Sequence, residues 1–317
     1  MMKTNRFKQL SMKALLSFVF SVMCIVSASA QQKQFTLNDL LGGGESYWNL
    51  RPENVYTSWW GNLALKTTPN GVYDLNTGKE ILTVDQVNKC FSEKVAFSAH
   101  NFSFPLTEEP VVMFTKGQRR IMLDFHACRV LYDVTLPEGA VTRDFNIKSR
   151  NTAYTIGGNL YVFTANSDTL VVSQDGSTDG SDDIVYGQSV HRDEFGISGG
   201  TFWSPDGKTL AYYRMDQSMV TDYPQVNLFT HIATHEPDKY PMAGQTSHEV
   251  TVGVYDVATG TTLYLKAGDP KDRYFTNVAW SPDSKTIYIF DREEASFTHF
   301  TDKHNSTSDF NNVFFFF

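Results

Sequence analysis

Basic charge is in short supply in this chain. Its 27 Lys and Arg stand against 35 Asp and Glu, a formal net charge of −8. No basic stripe that could track a phosphate backbone is implied, so nucleic acid is not an expected partner. Cysteine is nearly absent. Cys24, Cys90 and Cys128 form no Cys-x-x-Cys pair, which excludes zinc sites of that type and a dense disulfide framework. No metal and no other cofactor is expected. Long apolar runs are missing after the first thirty residues, so no membrane span is expected beyond them. Helical patterning is scarce too. Only Thr36 to Leu41 suggests a helical turn, with Thr36 as N-cap and Gly42-Gly43-Gly44 as stop.

What the N-terminus does have is the layout of a signal peptide, residues 1–30. Lys3, Arg6, Lys8 and Lys13 form a positive region, Ala14 to Val26 an apolar stretch, and Ala28-Ser29-Ala30 a small-residue cleavage site before Gln31. An uncleaved anchor is the alternative, but the apolar stretch is short of the roughly 20 residues that a span needs. Export is therefore expected, to the periplasm, the outer surface or the medium. Cys24 leaves with the signal. Cys90 and Cys128 then either pair in an oxidising compartment or stay as two core thiols.

Aromatic residues make up 14% of the chain, with 24 Phe and 15 Tyr, which suits sheet faces. Short β-rich runs such as Val111–Phe114, Asn159–Thr164 and Thr169–Ser173 alternate with Gly, Asn, Asp and Pro turns. Two turn sequences recur. Trp203-Ser204-Pro205-Asp206-Gly207-Lys208-Thr209-Leu210 returns as Trp280-Ser281-Pro282-Asp283-Ser284-Lys285-Thr286-Ile287. Gly71-Val72-Tyr73-Asp74-Leu75-Asn76-Thr77-Gly78 returns as Gly253-Val254-Tyr255-Asp256-Val257-Ala258-Thr259-Gly260, with Leu131-Tyr132-Asp133-Val134 as a fainter third copy. Alternating hairpin types predict an all-β fold of four-stranded propeller blades, over a β-sandwich, which needs no recurring turns.

Four constellations invite chemistry. Gly196-Ile197-Ser198-Gly199-Gly200 matches G-x-S-x-G, but Thr201-Phe202-Trp203 follows where a nucleophile elbow needs a helix, so Ser198 is not expected to be a nucleophile. No catalytic residue is assigned. Gln174 to Asp183 is rich in Asp and Gly, yet its spacing is not that of an EF-hand and no Glu closes it. His231, His235 and Glu236, followed by His248-Glu249, have metal-like spacing, but Pro237 and Pro241 oppose a helix, so a solvated surface loop is expected. Asp193-Glu194 is the remaining candidate. Two adjacent carboxylates between strands can bind an ammonium group through charge-assisted hydrogen bonds, unless they are merely solvated or paired with Arg192.

The segments Ile184–Ile197, Phe202–Gly207, Tyr213–Val220, Tyr240–Gly244 and Ser247–Tyr255 resemble the dipeptidyl peptidase IV family, nearest its bacterial prolyl tripeptidyl peptidase branch. The resemblance spans about Phe35 to Ile289. It implies a secreted serine exopeptidase in which an eight-bladed propeller covers an α/β-hydrolase domain that cleaves after proline. Its partners would be peptide N-termini with proline near the cleavage site, and it leaves dimerisation of full-length relatives open. The family's acidic motif before Phe, which grips the substrate's α-ammonium, falls on Asp193 and Glu194. Asp193 is one methylene shorter than the usual Glu. No Gly-Trp-Ser-Tyr-Gly-Gly segment of the hydrolase occurs, and the family's Arg-His-Ser stretch is not evident, so Arg129 in Phe125–Val130 is given no role. Residues 31–289 thus read as a partial propeller. Residues 290–317, ending in Phe314-Phe315-Phe316-Phe317, show no repeat and no strand pattern, and read as an aberrant or frame-shifted tail. The expected function is the N-terminus-binding propeller of a post-proline exopeptidase, truncated before its catalytic domain and inactive alone. The alternative is a stand-alone periplasmic propeller that binds peptides or proteins.

Overall fold

A computed structural model describes residues 35–43, 47, 52, 54–91, 98–266, 274–291 and 296–301, with side chains through 290. Two units divide the chain, Met1–Val55 and Tyr56–Phe317. In the first, helix α1 is Leu37–Leu40. Thr36 stands at its N-cap position, but its hydroxyl donates where a capping hydroxyl would accept: both it and the Thr36 backbone N–H donate to Asp39 Oδ2 at 2.8 Å.

The second unit carries the strands. Blade 1 is the meander β1 (Tyr56–Trp60), β2 (Leu63–Thr68), β3 (Gly71–Asp74) and β4 (Glu80–Thr83), followed by helix α2 (Val84–Lys89). Blade 2 is β5 (Val111–Lys116), β6 (Arg119–Asp124) and β7 (Arg129–Thr135). Blade 3 is β8 (Val141–Phe145), β9 (Thr152–Ile156), β10 (Asn159–Phe163) and β11 (Thr169–Val171). Blade 4 holds β12 (Ile184–Tyr186), β13 (Thr201–Trp203), the long β14 (Thr209–Asp216), β19 (Glu249–Asp256) and β20 (Thr261–Tyr264). Between β14 and β19 an arm is built of two short hairpin pairs: β15 (Asp222–Tyr223) with β18 (Asp238–Lys239), and β16 (Val226–Asn227) with β17 (Thr234–His235). Blade 5 is β21 (Phe275–Trp280), β22 (Thr286–Asp291) and β23 (Ser296–Thr301). The sheet thus continues past Ile289, where the sequence shows no further strand; residues 314–317 lie outside the described residues.

The apolar cores lie between successive blades. Because side chains alternate across a strand, one strand serves two cores. In β5, Val112 faces blade 1 beside Leu65 and Val72, while Val111 faces blade 3 beside Tyr154. In β14, Leu210 and Tyr212 pack with Ala153 and Leu160 of blade 3, while Ala211 and Tyr213 pack with Ile287 and Ile289 of blade 5. Buried on both faces, these strands read as continuous apolar runs, as β-propeller blades must.

The recurring turns make recurring bonds. Ser204 Oγ donates to Asp206 Oδ1 (2.7 Å) and accepts from Thr209 N (3.0 Å); Ser281 Oγ donates to Asp283 Oδ1 (2.6 Å) and accepts from Thr286 N (3.0 Å). The preceding tryptophans tie each blade to the one before. Trp203 Nε1 donates to Asp144 O at 3.1 Å, and Trp280 Nε1 to Phe202 O at 2.9 Å. In the second turn type, Asp74 Oδ1 accepts from Asn76 N and Asp256 Oδ1 from Thr259 N, with left-handed Gly78 (φ 70°) and Gly260 (φ 69°) closing. The third copy is Asp124-Phe125-His126-Ala127-Cys128, not Leu131–Val134, which lies inside β7. Asp124 Oδ1 accepts from Ala127 N at 2.9 Å, and Cys128 (φ 52°) stands where glycine stands in the other two. Cys128 is disulfide-bonded to Cys90 at the end of α2, which settles the two alternatives for these thiols.

Candidate functional site

The loop from β12 to β13 is pinned at both ends to one residue of β14. Gly187 N donates to Tyr213 O at 2.8 Å, and Tyr213 N donates to Gly200 O at 2.9 Å. There the two ends cross so closely that a Cβ on Gly200 would land within the backbone of Gln188. This crossing is what Gly200, the last glycine of the G-x-S-x-G match, serves. Strand β13, not a helix, follows it, as expected for a Ser198 without nucleophile geometry.

Inside this closure the chain winds left-handed. His191, Arg192, Asp193 and Phe195 all have φ between 53° and 58°, while Glu194 is extended at φ −68°, ψ 158°. Each left-handed residue costs about 1–3 kcal/mol and persists only where its surroundings fix it. The fixing contacts are aromatic, and the two histidines among them are buried. His191 is 1% exposed and its Nδ1 lies 2.6 Å from Nε2 of His248, 3% exposed, at the entry to β19. The Tyr274 ring stacks on His191 at 4.1 Å, and Phe195 meets Tyr274 edge-on at 5.4 Å.

The carboxylates diverge from this buried base. Glu194 Oε1 takes an ion pair from Arg192 Nη2 at 3.0 Å, with side-chain exposures of 41% and 29%. Arg192 also lies over the ring of Tyr240 at the foot of the arm, 4.7 Å from its centroid. Asp193 is exposed and accepts from the Ser189 hydroxyl. The adjacent pair is therefore split between two local partners. The pairing of Glu194 with Arg192 is the alternative that adjacency already offered; the Ser189–Asp193 bond has no sequence signal.

His248 belongs to this site and not to a solvated surface loop. His231, His235 and Glu236 do lie exposed on the arm, where Asn227 Nδ2 donates to Glu236 Oε1 at 2.9 Å. The Asp-rich loop is tied to the protein's own cations: Arg214 Nη2 lies 3.7 Å from Asp175 Oδ2, and Lys239 Nζ bridges Asp183 and Asp222 at 3.3 and 3.2 Å. Among the described residues no cluster of His, Cys, Asp and Glu has metal-binding geometry. Nor is any described helix long and apolar enough to cross a membrane. Arg129 is an exposed residue 3.9 Å from Asp124.

A hydrogen bond between two imidazoles needs at least one neutral ring to accept, and burial here favours the neutral form of both. Burial, then the other histidine and Arg192, push His191 down to about 3. Burial, then Arg192, lower His248 to about 4, with Glu194 opposing. Both values lie below the ordinary one near 6.5, so the unfolded chain binds more protons between them, and stability rises with pH. The contribution is complete above about pH 6.5 and is lost as pH falls toward 4. The thermal midpoint should therefore drop on acidification from pH 7 to 4, and His248→Gln should make that drop shallower. Parallel profiles for the two proteins would mean that the pair does not titrate as described.

The model of the dipeptidyl peptidase IV (DPP IV) N-terminal region matches residues 128–308, which include the whole site. A probable dipeptidyl-aminopeptidase B of Phaeosphaeria nodorum is 29% identical over 46% of this chain and 18% of its own length. The dipeptidyl aminopeptidase B of Saccharomyces cerevisiae is 28% identical over 45% of this chain and 20% of its own. A crystal structure described as that of a dipeptidyl aminopeptidase IV from Bacteroides ovatus is 40% identical, with a TM-score of 0.72, covering 86% of this chain and 38% of that one. The Porphyromonas gingivalis dipeptidyl peptidase 4 structure, 18% identical with a TM-score of 0.56, shares the fold. The chain thus spans about a fifth of the length of these curated relatives. With blades 3 to 5 and the site loop inside residues 128–308, the chain belongs to the dipeptidyl peptidase IV N-terminal region family.

Proposed function

We propose that this chain is the substrate-gating, N-terminus-binding propeller portion of an exported post-proline exopeptidase, with Glu194 as the anion for a peptide's α-ammonium group and Asp193 beside it. The observation that carries this reading is a half-exposed Glu194 carboxylate, on a rigidly closed loop, that already holds a cation against an aromatic face. The Cys90–Cys128 disulfide supports an oxidising compartment, as the signal-like N-terminus does. The release of dipeptides or tripeptides, and the peptide cut in the cell, would depend on a hydrolase domain.

Glu194→Gln tests the reading. A charge-assisted hydrogen bond is worth roughly 1.5–3 kcal/mol, so the variant should bind a free-N-terminus Xaa-Pro peptide about ten- to a hundredfold more weakly by calorimetry. The N-acetylated peptide should bind both proteins equally. Equal losses for both peptides would give Glu194 a structural role only.

A further inference from the structure

The position that an incoming ammonium would take is already filled from within. Arg192 stands two residues before Glu194, and its guanidinium has the two contacts that a bound cation wants: a carboxylate at 3.0 Å and an aromatic face at 4.7 Å. The ion pair is not carried by a loose surface segment. The left-handed turn that sets both side chains is clamped beneath by the His191–His248 contact and the Tyr274 stack. Tyr240 is held by its own backbone, whose N–H donates to Thr221 O at 3.1 Å, and by the Tyr223 ring at 5.8 Å.

We infer that Arg192 is a built-in competitor for the cation site, so that Glu194 binds a peptide N-terminus only by exchanging one cation for another. This inference rests on the ammonium-binding reading of Glu194. The exchange is chemically reasonable. A guanidinium is weakly hydrated and can keep its contact with the Tyr240 ring after leaving the carboxylate. The ligand's ammonium is compact and takes the freed oxygen. Apparent affinity is then reduced by the fraction of molecules in which Glu194 is free. Such a device penalises weakly held cations and passes only ligands with further contacts elsewhere. It makes residue 192, which carries no carboxylate, a determinant of specificity.

Four proteins test it: wild type, Arg192→Gln, Glu194→Gln and the double variant. Each is titrated calorimetrically with a free-N-terminus Xaa-Pro peptide and with its N-acetyl form, after a check that the thermal transitions match. Arg192→Gln should tighten binding of the free peptide roughly two- to fivefold, the range that exposed ion pairs span. The gain should vanish in the Glu194→Gln background, because it acts through that carboxylate and not through general charge. The acetylated peptide should not respond to Arg192→Gln. A gain that persists in the double variant would overturn the competitor role and assign the effect to long-range repulsion. Unchanged or weaker binding by Arg192→Gln, with Glu194→Gln still impaired, would also overturn it while leaving the ammonium site standing. Glu194→Gln without effect on the free peptide would remove the ammonium reading and the inference together.

Discussion

Gly200→Ala should lower the thermal midpoint by roughly 6–12 °C, the shift expected from about 3 kcal/mol in a domain of this size. The cost is steric and unavoidable. The added Cβ meets the N, C and O atoms of Gln188, which are backbone and cannot rotate away. Relief requires pulling Gly187–Gln188 off β14, which sacrifices the bonds that Tyr213 makes to both ends of the loop. The left-handed stretch from His191 to Phe195 then loses its closure, so peptide binding should fall with stability. Gly199→Ala is the internal control. A Cβ there meets nothing within 4 Å, and its midpoint should stay near wild type. Similar midpoints for the two variants, measured by calorimetry or circular dichroism, would contradict the crossing at Gly200.

Opening the Cys90–Cys128 disulfide should cost still more. The bond closes a 38-residue loop, and the chain-entropy relation gives about 4 kcal/mol for that length. It joins the end of α2 to the turn between β6 and β7, so reduction frees blades 1 and 2 from one another at that edge. The two cysteines are not equivalent under mutation. Cys128 occupies a left-handed position (φ 52°) that Gly78 and Gly260 fill in the matching turns. Cys128→Gly therefore loses the bond but relieves a conformation that costs a side chain roughly 1–2 kcal/mol. Cys90→Ala loses the bond and keeps that cost. Thiol titration should find no free Cys90 or Cys128 in the native protein, and the order of stability should be wild type, then Cys128→Gly, then Cys90→Ala. Equal stability of wild type and Cys90→Ala would remove the disulfide from the account.

What was legible in the sequence was whatever repeats locally. The Trp-Ser-Pro-Asp turns could be seen because the same Ser and Asp atoms must close the same hydrogen bonds in each blade. Blade 3 closes its equivalent turn differently. Asn146 Oδ1 accepts from Lys148 N and Ser149 N at 3.0 Å, and the Ser149 hydroxyl donates to it and accepts from Asn151 N, each at 3.3 Å, so Phe145–Asn151 closes a like turn with other letters. The third copy of the second turn type lies at Asp124–Cys128 and not at Leu131–Val134 for a related reason, since Cys128 hides the glycine position that would mark it. Strand β23 follows no repeat, and its Ser-Phe-Thr-His-Phe-Thr composition alone did not reveal it. The acidic pair was visible as a pair, and so was Arg192 as its rival partner. The base of the site was not. His191 and His248 lie 57 residues apart and meet only through strand pairing within blade 4, and Tyr274, on the approach to blade 5, is added by the packing of the two blades.

The ammonium-binding role of Glu194 is tested most directly by the pH dependence of binding by the wild-type chain. A peptide α-amino group titrates near pH 7.7–8.0. Affinity for a free-N-terminus Xaa-Pro peptide should hold between pH 6.5 and about 7.5, then fall about tenfold per pH unit above 8 as the ammonium loses its proton, while the N-acetyl peptide shows no such fall. Affinity for the free peptide that stays level through pH 9, or falls in parallel with that of the acetylated peptide, would contradict the account.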